Sequence, residues 1–347
     1  MKGAIITDYK KLEIRDFPKP EPDGKNVIMK VQTCGICGSD IHMWEGGGDA
    51  RNKGIRPGHE HAGIVVDPGS RTDLKVGDRI TSLPNRTACG ECTACMERRF
   101  DDCTHIIKGV GNFPDGPAGT YAEYFSTAPN LVRKIPDTMT NEEAAMIEPC
   151  ATPYSAVKDM GIKRGDKVLV FGGGIIGSVS AQWAKFFGAD YVAMVEVNEF
   201  RGKKNLEMGN IDELFDGKDP ELLNKLLKVT DGKGFDYVLE CTGQAGPLNT
   251  AMLASKMRAR VAIIGVSATP ILFNNVVALF KRARLQAYLT YTDAEFNEVM
   301  NLIAAKKFDV LRYYSADCKL EEVQDCYHEL QSPNCDKIKI MIQFPRD

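Results

Sequence analysis

The chain has 347 residues, 43% of them apolar, a length that suggests about two domains with ample core. Its 44 Lys and Arg against 47 Asp and Glu leave a formal net charge of −3, so no basic excess points to nucleic acid or to a membrane surface. No apolar run approaches the length of a membrane span. The N-terminal residues turn charged too soon for a secretory leader, and eleven cysteines in such a chain read as metal ligands and free thiols, which predicts a cytoplasmic protein.

Residues 3–6, 12–16 and 26–31 alternate in the manner of strands around a Pro/Gly-rich link at 17–24. Short strands continue through 63–66, 76–80, 122–125 and 131–136, a texture that predicts an irregular β-barrel. Residues 141–147 read as a capped helix with Glu148-Pro149 at its end. From 168 the rhythm changes: strands at 168–171, 191–195, 237–240 and 260–264 alternate with helices at 176–187, 220–229 and 247–254. That order predicts βαβ units on a parallel sheet. Helices at 294–305 and 320–330 and a strand at 338–342 close the chain, so the nucleotide-type domain is an insertion in a domain built from both chain ends.

Between strand and helix stands Gly172-Gly173-Gly174-Ile175-Ile176-Gly177, a G-x-G-x-x-G turn in the context that gives the pattern meaning. The glycines permit a tight turn, close approach of a pyrophosphate and close helix–strand packing. The next strand ends at Glu196, where an acid would bind ribose hydroxyls and repel a 2′-phosphate, so NAD(H) is expected over NADP(H).

Two sets of residues suit metals. Cys89, Cys92, Cys95 and Cys103 lie within one loop and can close a tetrahedral thiolate shell, which is a structural zinc pattern, with an iron–sulfur cluster as the rival. Cys37, His59 and one or both of Glu60 and Glu148 offer the three ligands a catalytic zinc needs beside an open position. Cys34 with Cys37 also has the spacing of a redox pair, although outside the βαβ setting such a pair prefers. His61, His105 and His328 read as structural histidines.

Taken together, the segments 35–42, 57–60, 119–124, 147–149 and 240–243, the four-cysteine lobe and the glycine turn resemble the zinc-dependent medium-chain dehydrogenase/reductase family. The likeness is to its sorbitol (polyol) and threonine dehydrogenase branch, and it runs nearly the whole chain. The resemblance implies α/β plus β architecture: a GroES-like irregular β-barrel catalytic domain (1–152 and 286–347) with an inserted Rossmann doubly wound parallel-sheet domain (153–285). It implies Cys37, His59 and Glu60 on a catalytic zinc, with Glu148 where other branches place a cysteine. A second, structural zinc would bring the metal to two per chain. It also implies a Ser39–His42 proton relay, an adenosine end near Arg201 and Thr242, a nicotinamide bordered by Val266 and Leu289, and a homodimer or homotetramer.

The reaction so implied is hydride transfer from a secondary alcohol or polyol, such as a sorbitol-like sugar alcohol, to NAD, giving the ketone. The three cations of the 49–56 loop raise an alternative, an anionic alcohol such as a sugar-alcohol phosphate, a sulfonated alcohol or L-threonine. Against L-threonine, Glu91 stands where threonine dehydrogenases carry a histidine. A catalytically silent NAD-binding protein of the same fold would have lost ligands or glycines, and none is lost here.

Overall fold

The computed structural model describes residues 1–46, 53–84, 92–97, 119–267 and 270–345. They form two compact units: Met1–Pro149 with Thr292–Gln331 and Lys339–Asp347, and Cys150–Tyr291 with Ser332–Ile338.

The first unit opens on an antiparallel pair, β1 (Lys2–Asp8) and β2 (Lys11–Asp16). β3 (Val27–Gly35) is buried along nearly its whole length and leads into helix α1 (Gly38–Glu45). β4 (Glu60–Asp67), β5 (Arg79–Ser82), the short helix α2 (Thr93–Met96), β6 (Tyr124–Thr127) and β7 (Val132–Lys134) follow. α3 (Asn141–Ala145) is capped by Thr140, whose hydroxyl accepts the Glu143 N–H at 3.1 Å while Glu143 accepts the Thr140 N–H at 2.9 Å. The expected single helix ending in Glu148-Pro149 is therefore two helices. α3 stops at Ala145, and Glu148 lies in the first turn of α4 (Ile147–Met160). Proline cannot continue a preceding helix but fits the first turn of a new one.

The second unit carries β8 (Lys167–Phe171), α5 (Ile175–Phe186), β9 (Tyr191–Glu196), α6 (Glu199–Glu207), β10 (Glu213–Asp216) and α7 (Leu222–Lys228). It continues with β11 (Phe235–Glu240), α8 (Ala245–Ala254), β12 (Ser255–Ile263), α9 (Asn275–Lys281) and β13 (Arg284–Ala287). The six strands are all parallel in the order β10-β9-β8-β11-β12-β13. Strand order reverses between β8 and β11, the place where doubly wound sheets bind ligands beyond their carboxyl ends. The near-continuous apolar run of β8 follows from burial on both faces.

The C-terminal part returns to the first unit with α10 (Asp293–Ala304), β14 (Tyr314–Cys318), α11 (Val323–Gln331) and β15 (Lys339–Gln343). β15 pairs antiparallel with β3 and completes the seven-stranded sheet, so the last strand of the chain lies beside one of the first. Val27, Met29, Val31, Trp44, Tyr327 and Ile340 are in the core of this unit.

Candidate metal centre and dinucleotide site

Three potential ligands meet in the first unit because of strand register. β3 and β4 run antiparallel with Gly35 opposite Glu60. Cys37 follows β3 as the N-cap of α1, His59 immediately precedes β4, and Glu60 is its first residue. One ligand atom from each of Cys37, His59 and Glu60 lies within 4.8 Å of the others. A Cβ on Gly35 would stand 2.1 Å from Glu60 Oε2 and 2.9 Å from the Lys339 Cε, so any side chain there would displace the Glu60–Lys339 pair.

The surrounding charges hold this group in place. Asp40 is fully buried; its Oδ1 lies 3.6 Å from His59 Nδ1 and accepts the Gly58 N–H at 3.3 Å, while its Oδ2 accepts the Tyr121 hydroxyl at 3.1 Å. Burial alone would push the His59 imidazole down, but the charges of Asp40 and Cys37 outweigh it and hold the imidazole well above its usual range. Lys339, equally buried, forms an ion pair with Glu60 Oε2 and donates to the Ile36 carbonyl at 2.9 Å. Burial would lower its pKa as well, and Glu60, with Cys37 and Glu148, more than offsets that. The other Glu60 oxygen, Oε1, is buried with no hydrogen-bond partner. An orphaned carboxylate oxygen beside a thiol and an imidazole is a donor set that a zinc ion would satisfy.

Around this group Ser39 Oγ donates to Cys37 Sγ at 3.2 Å. His42 sits on α1 with about a third of its side chain exposed (36%) and its Nδ1 3.8 Å from Glu45 Oε2. Glu148 lies outside the three-residue group among the described residues, although its charge acts on Lys339. Cys34 is buried with its sulfur 3.1 Å from Thr120 Oγ1, and burial pushes its thiol up to about 12, which makes it a poor redox partner for Cys37. His61 bonds Ser82 at 2.9 Å and His328 packs edge-on against Trp44, both structural roles. Cys89, Cys103 and His105 lie outside the described residues, as does the side chain of Cys95. Cys92, just before α2, is half-buried. In the cationic loop Lys53 pairs with Asp8 at 3.1 Å and Arg56 lies over the Phe17 ring at 5.0 Å, while Arg51 is outside the described residues.

Sequence reasoning passed over Asp40, Tyr121 and Lys339. Lys339 left a signal: it is the one charge in an otherwise apolar terminal strand, Lys339-Ile340-Met341-Ile342.

In the second unit the glycine turn follows β8. Gly172 has φ +95°, a region that suits glycine, and a Cβ on Gly177 would lie 1.8 Å from the Gly172 carbonyl oxygen. Gly174 caps α5. The Glu196 carboxylate, at the end of β9, accepts backbone N–H groups of Gly173, Val197 (2.7 Å) and Asn198 (2.8 Å), so its position is set by the turn it faces. A cavity of about 520 Å³ beyond the strand ends is lined by Gly172, Gly174, Glu196, Arg201 and Thr242 among others. Arg201 also donates from Nε to the Lys337 carbonyl at 3.2 Å. Ile175, Ile176, Gly177, Val266 and Leu289 are not in its lining, and Val266 and Leu289 are exposed.

Residues 23–137 match the alcohol dehydrogenase GroES-like domain, and residues 176–305 match the zinc-binding dehydrogenase domain. A sorbitol dehydrogenase of Halalkalibacterium halodurans is 30% identical over 343 residues, covering 97% of this chain and 98% of its own. Among solved structures, an oxidoreductase of unknown specificity from Escherichia coli superposes with a TM-score of 0.89 at 27% identity, covering 99% of each chain. The 2R,3R-butanediol dehydrogenase of Bacillus subtilis does so with a TM-score of 0.85 at 26% identity, again over 99% of each chain.

Proposed function

The chain belongs to the zinc-dependent medium-chain dehydrogenase/reductase family and is an oxidoreductase that works with zinc and a nicotinamide dinucleotide, and from that premise we propose that it oxidises a neutral polyol or vicinal diol at a secondary hydroxyl to the ketone, with NAD⁺ as acceptor. The observation that carries the reading is the grouping of Cys37, His59 and Glu60 around an orphaned carboxylate oxygen. The sorbitol and butanediol dehydrogenases among its relatives supply the substrate class. Lys53, one of the loop cations, is paired with Asp8 in place of an anionic substrate.

In this reading Cys37, His59 and Glu60 hold zinc, with Glu148 as a carboxylate at the same site, and the four lobe cysteines hold a second ion. Bound at those places, zinc supplies Lewis acidity toward an alcohol hydroxyl and the nicotinamide supplies the hydride acceptor. Asp40 orients the His59 ring, as carboxylates behind metal-bound imidazoles do. Ser39, bonded to Cys37, and the partly exposed His42 pass the hydroxyl proton to water. Gly172, Gly174 and Gly177 receive the pyrophosphate, Glu196 the adenosine ribose, and Arg201 and Thr242 border the adenosine, with Val266 and Leu289 assigned to the nicotinamide.

The protein is read as a cytoplasmic homodimer or homotetramer. Among the described residues β13 is an edge strand of its sheet, and Leu279 and Phe280, on the helix α9 that precedes it in the chain, are 71% and 78% exposed, apolar surface of the kind a second copy covers. The test of function is NADH formation across a panel of secondary alcohols, polyols and their phosphates. Turnover of sugar phosphates above that of the free polyols would overturn the neutral-substrate reading.

A further inference from the structure

Beneath the glycine turn lies a polar cluster that the reaction as described does not use. Ser178, on α5, and Asn205, on α6, are fully buried, and Asn210 is 1% exposed. Polar side chains so deep in a core cost stability unless each one is hydrogen-bonded. Here they converge on one backbone atom. Ser178 Oγ donates to the Gly173 carbonyl at 3.0 Å, and Asn205 Nδ2 reaches the same carbonyl at 3.4 Å while donating to Ser178 Oγ at 2.8 Å and to the Arg201 carbonyl at 2.9 Å. Asn210 Nδ2 donates to Asn205 Oδ1 at 3.0 Å, which fixes the orientation of the Asn205 amide with its nitrogen toward the turn.

We infer that Ser178 and Asn205 are positioning residues for the dinucleotide: they pin the Gly173 carbonyl inward so that the Gly174 N–H faces the pyrophosphate. The inference rests on the NAD-binding reading of this unit. Gly172, Gly173 and Gly174 are consecutive, so no Cβ at either end restricts the 173–174 peptide as it would at other residues. The two ends of a trans peptide point in opposite directions. With the carbonyl held by the buried Ser178 hydroxyl, which Asn205 holds in turn, the Gly174 N–H is turned toward the cavity that Gly172 and Gly174 line. If the plane flipped, a carbonyl oxygen would face the phosphate oxygens instead. Glu196 ties the other side of the same residue through the Gly173 N–H, so the turn is held from both directions.

The test compares the zinc-loaded wild-type chain with Asn205→Ala and Ser178→Ala, titrating NADH, ADP-ribose and adenosine. Adenosine lacks the pyrophosphate and so separates turn geometry from general damage. The expected result is an NADH and ADP-ribose Kd raised about tenfold in Asn205→Ala, equivalent to about 1.4 kcal/mol, with the adenosine Kd unchanged. Ser178→Ala, which removes only one oxygen, should move the same two constants in the same direction. ADP-ribose binding as tight as wild type in both variants overturns the inference. An equal loss of adenosine binding does so too, because it indicates a merely structural cluster. Failure of the wild type itself to bind NADH would instead remove the cofactor reading on which the inference stands.

Discussion

Replacing Lys339 by methionine keeps the length of the side chain and removes its charge from a site where both partners of the Lys339–Glu60 pair have no exposed surface. Breaking a buried pair by deleting one partner costs about 3–5 kcal/mol, since the remaining charge is left in a medium that solvates it poorly. At roughly 2–4 °C per kcal/mol for a unit of this size, the metal-free protein should melt about 6–20 °C lower than wild type. Zinc changes the balance, because Glu60 would then have a cation on its other side, where Oε1 now has no partner. Saturating zinc should therefore recover more melting temperature in Lys339→Met than in wild type, through the linkage of binding to folding. Thermal melts in chelator and in excess zinc, with metal content measured on the same samples, read this directly. An equal loss of melting temperature with and without zinc would refute the reasoning, as would no loss in the metal-free protein.

Three further substitutions test other parts of the site. Cys37→Ser should abolish turnover and lower bound zinc from about two ions per chain to about one, by removing a ligand of the open site. NADH binding followed by fluorescence should persist, and retained activity would contradict the ligand assignment. In Gly177→Ala the new Cβ would stand 1.8 Å from the Gly172 oxygen, so the turn must shift. We expect a destabilisation of about 1–3 kcal/mol by denaturant melts and NADH binding weakened more than tenfold in titration. Glu196→Ala removes the acceptor of three backbone N–H groups and the charge that would repel a 2′-phosphate. The ratio of kcat/KM for NAD⁺ over NADP⁺ should fall about tenfold, on the scale of one charge-assisted interaction, and an unchanged ratio would exclude Glu196 from cofactor choice.

The elements whose signals are local were open to sequence reasoning. The apolar run of β8, the glycines after it and the acid ending β9 are neighbours in the chain, and their chemistry follows from backbone rules that act over a few residues. Cys37, His59 and one or both of Glu60 and Glu148 could likewise be singled out by residue type, and the family resemblance joined them. Helix limits near Glu148 were less accessible, because the break falls at Met146 inside an unbroken apolar stretch, with Pro149 in the first turn of the second helix.

Tertiary structure decided what depends on register and burial. The pairing of Gly35 with Glu60 brings the Cys37, His59 and Glu60 side chains together, and the pairing of β15 with β3 carries Lys339 to Glu60 from the far end of the chain. Residues 332–338 belong to the second unit, where Asn198 donates to the carbonyls of Pro333 and Cys335 at 3.1 and 3.0 Å. Nothing local in those residues encodes such contacts. A lysine or an asparagine has the same sequence appearance on a solvated face as in a core, and only the neighbours that fold around it determine whether its charge or amide must find a partner.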